Sequence, residues 1–226
     1  MISLFILFRR QLARELLLHL RQLRLIVNTS LFFLMIAVFF PLTMSSDVTL
    51  LRTIAPGLIW IAMLLALFLS AERLFQQDYD DGVVEQWLVS GYPISLLVTA
   101  KMLLHWLLTL VPMLVFCPFL AILFSFSAYE TVVLMLSLVA GTPAILCLCA
   151  LAAAFSTSLQ QKGIVMALIL LPLTIPVMVF GSGTLLMAMS GLPVSGHLAL
   201  LLAMSVIAAG LLPFAVAAVI RVGLVE

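Results

Sequence analysis

The chain has 226 residues, of which 65% are hydrophobic and only 8% are charged, and its formal net charge at pH 7 is +1. Its mean hydropathy of +1.36 and its long apolar runs exclude an ordinary soluble domain. Nucleic acid is not expected as a partner, because no basic tract is interleaved with aromatic residues. The composition therefore predicts an all-α, polytopic membrane protein in which residues 1–226 form a single membrane domain.

Residues 1–24 show an imperfect amphipathic helical pattern. Leu12 and Leu16 fall on one helical stripe, whereas Arg10 and Arg14 fall on another face. This pattern predicts an interfacial helix with its arginines toward anionic headgroups. The alternative is a flanking segment that only follows the positive-inside rule. We expect no cleavable signal peptide, because the positive charges follow the short apolar run instead of preceding it.

Six apolar segments are long enough to cross a membrane. The predicted spans cover about residues 25–46, 53–70, 102–125, 131–155, 164–180 and 197–220. Several of these spans contain prolines, which remove a backbone hydrogen bond and tend to kink a helix. Between the last two spans, residues 181–196 contain four glycines and one proline. We expect an outer re-entrant segment or a short helical loop in this interval.

The distribution of lysine and arginine predicts the orientation of the spans. With the N-terminus in the cytoplasm, the inner segments carry nine of the ten basic residues, and the outer loops carry only Arg52. This asymmetry follows the positive-inside rule. We therefore expect both termini, residues 71–101 and the turn at 156–163 to be cytoplasmic.

Residues 71–101 are the only long polar interval in the chain. They hold five of the nine acidic residues: Glu72, Asp78, Asp80, Asp81 and Glu85. These charges are not expected in hydrocarbon, because each would cost about 2.5–3.5 kcal/mol at the centre of a membrane helix. The interval is therefore predicted to be a cytoplasmic loop that another molecule can contact.

Within this loop the sequence predicts a short helix that follows a turn at Asp81 and Gly82. Val84, Trp87 and Leu88 stand at positions i, i+3 and i+4, on one side of that helix. Two interpretations of this apolar side remain open. It rests on the bilayer interface, where Trp is favoured, or it docks into a groove of a soluble partner with Trp87 as the buried anchor.

Several segments of the chain carry a family resemblance. The run ERLFQQDYDDGVVEQWLVSGYP at 72–93 resembles the cytoplasmic coupling segment of ABC-2 type transporter permeases. Five segments also resemble the haem exporter permeases of cytochrome c maturation, in order and over nearly the whole chain: IAPGLIW (54–60), AERLFQQDYDDGVVEQ (71–86), AKMLLHW (100–106), AGTPAIL (140–146) and LPLTIPVMVFG (171–181). One departure is Gly91, where the family pattern leads us to expect a proline.

The resemblance implies a non-catalytic permease subunit of an ATP-driven haem exporter in the bacterial inner membrane. The chain lacks a G-x-x-x-x-G-K-[ST] phosphate loop, so ATP would be hydrolysed on a partner. The implied partners are an ABC ATPase subunit, a second copy of the chain, a haem-handling membrane protein, a small membrane subunit and a periplasmic haem chaperone, besides the lipid bilayer. The resemblance assigns the contact with the ATPase to the following residues of this chain: Glu72, Arg73, Asp78, Asp80, Asp81, Gly82, Val84, Glu85, Trp87 and Leu88.

No cofactor, metal or catalytic residue is assigned to the chain, and haem is a possible substrate. His105, at the cytoplasmic end of the third span, and His197, at the outer start of the sixth, are candidate haem-iron ligands because imidazole is the usual axial ligand. The alternative for His105 is an interfacial polar residue that shares a hydrogen bond. Either haem crosses the permease or the motion of the permease releases a haem-loaded chaperone.

Two other functions remain open at this point. The chain could be a membrane scaffold that recruits a soluble partner through its acidic loop, without transport. It could also be an ABC-2 permease for a lipid, a drug or a polysaccharide, because the composition fits these substrates equally well. A membrane enzyme is disfavoured, because outside the loop we find no cluster of His, Asp, Glu or Cys near one membrane face.

Overall fold

A computed structural model describes residues 4–21, 23–43, 48–158 and 164–223. These residues form nine helices and, within the described ranges, no strand. The helices are α1 (Leu4–Arg21), α2 (Leu23–Thr43), α3 (Val48–Ala71), α4 (Gln76–Asp80), α5 (Val83–Val89), α6 (Ile94–Leu123), α7 (Ala128–Ser158), α8 (Ile164–Met189) and α9 (Ser195–Val222). The predicted all-α class is confirmed.

Six helices are long and apolar enough to cross a membrane, and they are α2, α3, α6, α7, α8 and α9. Their number agrees with the six predicted spans. Helix α7 lies at the centre of the bundle and packs against α3, α6, α8 and α9. Small residues on α7, including Ala140, Gly141 and Ala144, allow this close approach. In the most apolar window of α7, 67% of the residues are buried, compared with 22% in α2 and α9.

The prediction for residues 181–196 needs a correction, because α8 does not end at residue 180 but continues to Met189. Gly181 does not break the helix. It makes room for the fully buried Trp60, whose ring atoms would lie 2.3 Å from a Cβ at that position. Gly141 of α7 faces the same ring, with a corresponding distance of 2.7 Å. Of the glycines that suggested a re-entrant segment, Gly181 therefore forms part of a helix-packing contact.

Two other boundaries differ from the prediction. Helix α6 begins at Ile94, so the polar interval between α3 and α6 covers residues 72–93, which we name the coupling segment. The predicted loop extended to Lys101 because a charged residue was expected outside the apolar spans. In the structure, the charge of Lys101 is neutralised inside the protein by Glu15 and Asp78, so it does not mark a solvent-exposed turn. Helix α3 begins at Val48, five residues before the predicted span. Most of the predicted turn at 156–163 lies outside the described residues.

The bundle has two polar ends. The charged end contains Glu15, Asp78 and Lys101, and it includes α1 and the coupling segment. The opposite end contains an ion pair between Arg52 of α3 and Glu130 of α7, with a distance of 2.6 Å between Nη2 and Oε1. The two polar ends lie at opposite ends of α3, so their separation is about the length of a membrane-spanning helix.

Local hydrogen bonds explain why α7 begins where it does. Ser127 and Glu130 form a capping box: the Ser127 N–H donates to Glu130 Oε2 at 2.8 Å, and the Glu130 N–H donates to Ser127 Oγ at 3.2 Å. Arg52 also donates to the carbonyl oxygen of Ser125 at 2.8 Å. These bonds join the first turns of α3 and α7 at the opposite end.

Candidate functional site

Two glycines shape the coupling segment at the charged end. Gly82 has a φ of 67° and precedes α5, in agreement with the predicted turn at Asp81 and Gly82. Gly91 has a φ of 71° and follows α5. Proline locks φ near −65°, so it is incompatible with the conformation at position 91. The backbone conformation at position 91 therefore explains why this chain has a glycine there and not the expected proline.

The apolar side of α5 faces the protein's own spans. Val84 and Trp87 are only 1% and 6% exposed and belong to the same buried apolar cluster as Phe75 and Ile94. This placement corrects both interpretations of Trp87 as an outward-facing side chain. The physical reason is that α5 folds back onto the bundle, so burial within the chain satisfies the hydrophobic side of the helix.

The exposed side of the coupling segment is mainly acidic, with an apolar tip. Six of the residues predicted for the ATPase contact are exposed: Glu72, Arg73, Asp80, Asp81, Glu85 and Leu88. Gly82 is half-buried, whereas Asp78, Val84 and Trp87 are buried. Val89 was missed by the sequence reasoning, yet its side chain is 88% exposed beside Leu88 at 37%. Its position at the last turn of a helix, just before Ser90 and Gly91, could have indicated this exposure.

A buried charge cluster ties the coupling segment to the bundle. The Lys101 Nζ of α6 lies 2.6 Å from Asp78 Oδ2 of α4 and 3.3 Å from Glu15 Oε2 of α1. All three side chains are nearly inaccessible to solvent. Gln11 also donates to Glu15 Oε1 at 2.9 Å. Removal of one partner from a buried ion pair leaves an uncompensated charge, so these contacts hold the three segments together.

The sequence reasoning placed Asp78 at the rim of the contact and did not identify Glu15 or Lys101. A signal for Glu15 was present, because Gln11, Glu15 and His19 recur every four residues along α1. That polar stripe faces the protein, whereas Leu16 and Leu17 on α1 are exposed. Gln11, Glu15 and His19 of α1 therefore face the bundle, whereas Leu16 and Leu17 face away from it.

A chain of hydrogen bonds next to this cluster occupies His105. His19 Nδ1 lies 2.9 Å from the carbonyl oxygen of Glu15, which only accepts, so Nδ1 donates. With both rings neutral, His105 Nδ1 then donates to His19 Nε2 at 3.3 Å, and His105 Nε2 accepts from Ser70 Oγ at 2.7 Å. Both ring nitrogens of His105 are thus engaged, in line with the hydrogen-bonding alternative and not with an open haem ligand.

His197 lies far from His105, at the start of α9 near the opposite end. Its ring meets Phe180 edge-to-face with a centroid distance of 5.7 Å and lies close to Gly183. The two candidate haem ligands are therefore not brought together. Within the described ranges, no group of three or more His, Cys, Asp or Glu side chains is placed to hold a metal ion.

The six spans, with the short helices α4 and α5 between the second and third, define a multi-pass membrane protein. The family model described as CcmB protein matches residues 6–223. The chain belongs to the CcmB protein family.

Curated relatives match along nearly their whole length. Heme exporter protein B of Pseudomonas aeruginosa is 42% identical over 219 residues, which cover 97% of this chain and 98% of that protein. The protein of the same name from Haemophilus influenzae is 40% identical over 217 residues, covering 96% and 98%. That from Escherichia coli K12 is 37% identical over 199 residues, covering 88% and 90%. The similarity therefore extends over the coupling segment as well as the spans.

Proposed function

We propose that this chain is the permease subunit of a haem exporter in the bacterial inner membrane and acts in the biogenesis of c-type cytochromes. The full-length similarity to proteins named Heme exporter protein B supports this function. We also propose the orientation expected from the basic residues, with both termini and the charged end in the cytoplasm.

The coupling segment is proposed to receive the motion of a separate ABC ATPase subunit. The observation that carries this proposal is the firm attachment of the segment to two different helices. Trp87 anchors α5 in the apolar core, and Asp78 binds Lys101, which in turn binds Glu15. Force applied to the exposed tip at Leu88 and Val89 would therefore reach both α6 and α1.

Such coupling requires that the two states of the permease contact the ATPase differently. Closure of an ATPase dimer around ATP would displace the segment, and the buried contacts would pass that displacement to the spans. Both ring nitrogens of His105 are already hydrogen-bonded, which does not favour His105 as a ligand of haem iron. Haem is therefore treated as cargo, with a second permease copy, a haem-handling membrane protein, a small membrane subunit and a periplasmic haem chaperone as proposed partners.

The exposed apolar tip provides a direct test. The double variant Leu88→Asp/Val89→Asp should lower ATP turnover of the assembled complex at least tenfold and abolish haem staining of c-type cytochromes. Gln86→Asp is the matched control, because it adds a carboxylate to the exposed side of the same helix without removing an apolar contact. Membrane levels of all variants are compared by immunoblot.

The outcomes separate the alternatives. If the double variant binds the ATPase and matures cytochromes as well as the wild type does, the tip is not the coupling contact. If complex assembly depends on the tip but ATP produces no change in permease conformation, the membrane scaffold is the better description. If cytochrome maturation is indifferent to deletion of the permease, the haem assignment is overturned.

A further inference from the structure

A cavity at the charged end borders the coupling segment, and the function proposed above assigns no ligand to it. It is partly open, has a volume of about 240 Å³, and lies between α1, the first turns of α2, the end of α3, the coupling segment and α6. Its lining includes Lys101 and its two carboxylate partners, Glu15 and Asp78. These three side chains carry one excess negative charge, and Arg14 faces Glu15 at 3.4 Å.

Arg14, Arg73 and Asp81 line the same cavity. The Arg14 guanidinium reaches a carboxylate only at 3.4 Å, from Nη1 to Glu15 Oε1, and its side chain remains 39% exposed. Within the described ranges, Arg73 and Asp81 form no ion pair, and both are exposed. Two guanidinium groups and one carboxylate thus line the same cavity without strong partners of their own.

The polar cavity continues into an apolar groove. Asn28 lines both of them, and the groove then follows α2 along Leu31, Met35 and Val38 and meets Phe119 of α6. The groove is open on the side that faces away from the bundle, where a membrane-spanning fold meets lipid chains. A polar pocket joined to an apolar groove fits an amphiphile whose head and tail differ in the same way.

We propose that this site binds one glycerophospholipid with a zwitterionic, primary-amine headgroup. Its phosphate lies between Arg14 and Arg73, its ammonium group lies at Asp81, and one acyl chain follows the groove along α2. Guanidinium groups bind phosphate oxygens in a bidentate manner.

The balance of charge selects this headgroup class. The lining contains three cationic side chains (Arg14, Arg73 and Lys101) and three anionic ones (Glu15, Asp78 and Asp81), so the formal sum is zero. A headgroup with one charge of each sign preserves that neutrality. A haem fits less well, because the carboxylates on its polar edge would face Asp81 and because pockets for drug-sized ligands usually have about 300–1,000 Å³.

The site also joins parts of the protein that move in the proposed coupling. Arg14 belongs to α1 and Arg73 to the coupling segment, so a shared phosphate would bridge the two. The lipid site itself needs only the membrane-spanning fold. It can therefore be tested without ATP turnover or haem transport, and its failure would leave the coupling proposal intact.

The test measures lipid retained by the assembled complex after purification from the membrane. Native mass spectrometry of the wild type in nanodiscs of phosphatidylethanolamine and phosphatidylglycerol should show one tightly held phosphatidylethanolamine per permease. Arg14→Gln/Arg73→Gln should lower its occupancy at least tenfold. The matched control is Arg9→Gln/Arg10→Gln, which removes the same charge from exposed positions of α1 that do not line the cavity.

Two further measurements identify the lipid. Asp81→Asn should bring retention of phosphatidylethanolamine down to that of phosphatidylglycerol, because only the ammonium group loses its partner. Glycerophosphoethanolamine and inorganic phosphate, which lack acyl chains, should not displace the lipid at equal concentration. Displacement by either one, loss of lipid in the control, or equal retention in both arginine variants would overturn the proposal.

Discussion

The charged end and the opposite end both use ionic contacts to join segments that are distant in sequence, but they do so in different surroundings. At the charged end, one lysine serves two carboxylates, and the Glu15 side chain is fully inaccessible. At the opposite end, one arginine serves one carboxylate, and the Arg52 side chain is 37% exposed, whereas the Glu130 side chain is only 7% exposed. The loss of one partner from a fully buried pair costs about 3–5 kcal/mol, and a pair with one partly exposed partner should cost less.

The comparison indicates different roles for the two ends. Water reaches the Arg52 guanidinium at the opposite end, although it does not reach the buried Glu130 carboxylate, so that contact opens at a lower cost than the contacts of Lys101. At the charged end, a separation of the coupling segment from α6 would leave charge in an apolar environment. We therefore expect the charged end to move as one unit, whereas the opposite end can rearrange.

The largest effect is expected for Lys101→Met. This change leaves the buried Asp78 without its cation and Glu15 with only the 3.4 Å contact to Arg14, so the free energy of unfolding should fall by about 3–5 kcal/mol. Equilibrium unfolding in mixed micelles measures the change. The triple variant Glu15→Gln/Asp78→Asn/Lys101→Met removes the unpaired charges and should recover most of that loss. A single Lys101→Met variant as stable as the wild type would contradict a buried cluster.

A medium effect is expected at Gly91, where the coupling segment turns toward α6. Gly91→Ala places a side chain at a φ of 71°, although no atom lies within 4 Å of the new Cβ. The backbone strain alone should cost about 1–2 kcal/mol. Gly57→Ala is the matched control, because its Cβ also meets no atom within 4 Å but the residue lies in regular α3. Equal stability of the two variants would show that the turn does not constrain the charged end.

The smallest effect is expected for Arg52→Gln at the opposite end, with a loss of about 1 kcal/mol, because Arg52 is partly exposed and the buried Glu130 keeps its hydrogen bond from the Ser127 N–H. Added salt screens exposed charges, because the Debye length falls from about 10 Å at 0.1 M to about 3 Å at 1 M. The difference between Arg52→Gln and the wild type should therefore become smaller at 1 M salt, whereas the effect of Lys101→Met should not change. A salt-independent loss for Arg52→Gln would remove the distinction between the two ends.

The sequence alone predicted the features that depend on composition along the chain. Length and hydropathy predict six spans, and Asp81 followed by Gly82 predicts the turn before α5. Features that depend on which neighbour a helix face meets were not predictable in this way. The apolar side of α5 could cover lipid, a partner or its own bundle, and only the packing of Trp87 decides among them.

The same limit applies to charge and to glycine. From the sequence alone, Lys101 is predicted to lie outside the membrane. Its contacts with Glu15 and Asp78, which allow it to be buried, are visible only in the structure. Gly181 reads as a helix breaker unless Trp60 is known to lie against it. In each case the partner is distant in sequence, so no local pattern identifies it. The contact between this chain and an ATPase subunit stays a prediction.

The contact between Glu15 and Lys101 can form only after both residues have been synthesised. The two residues are 86 positions apart. At a translation rate of about 5–20 residues per second, Lys101 is made roughly 4–17 s after Glu15. During that interval Glu15 lacks the contact with Lys101 that joins α1 to α6. We therefore expect α1, although it is made first, to reach its final contacts only after α6 has been made.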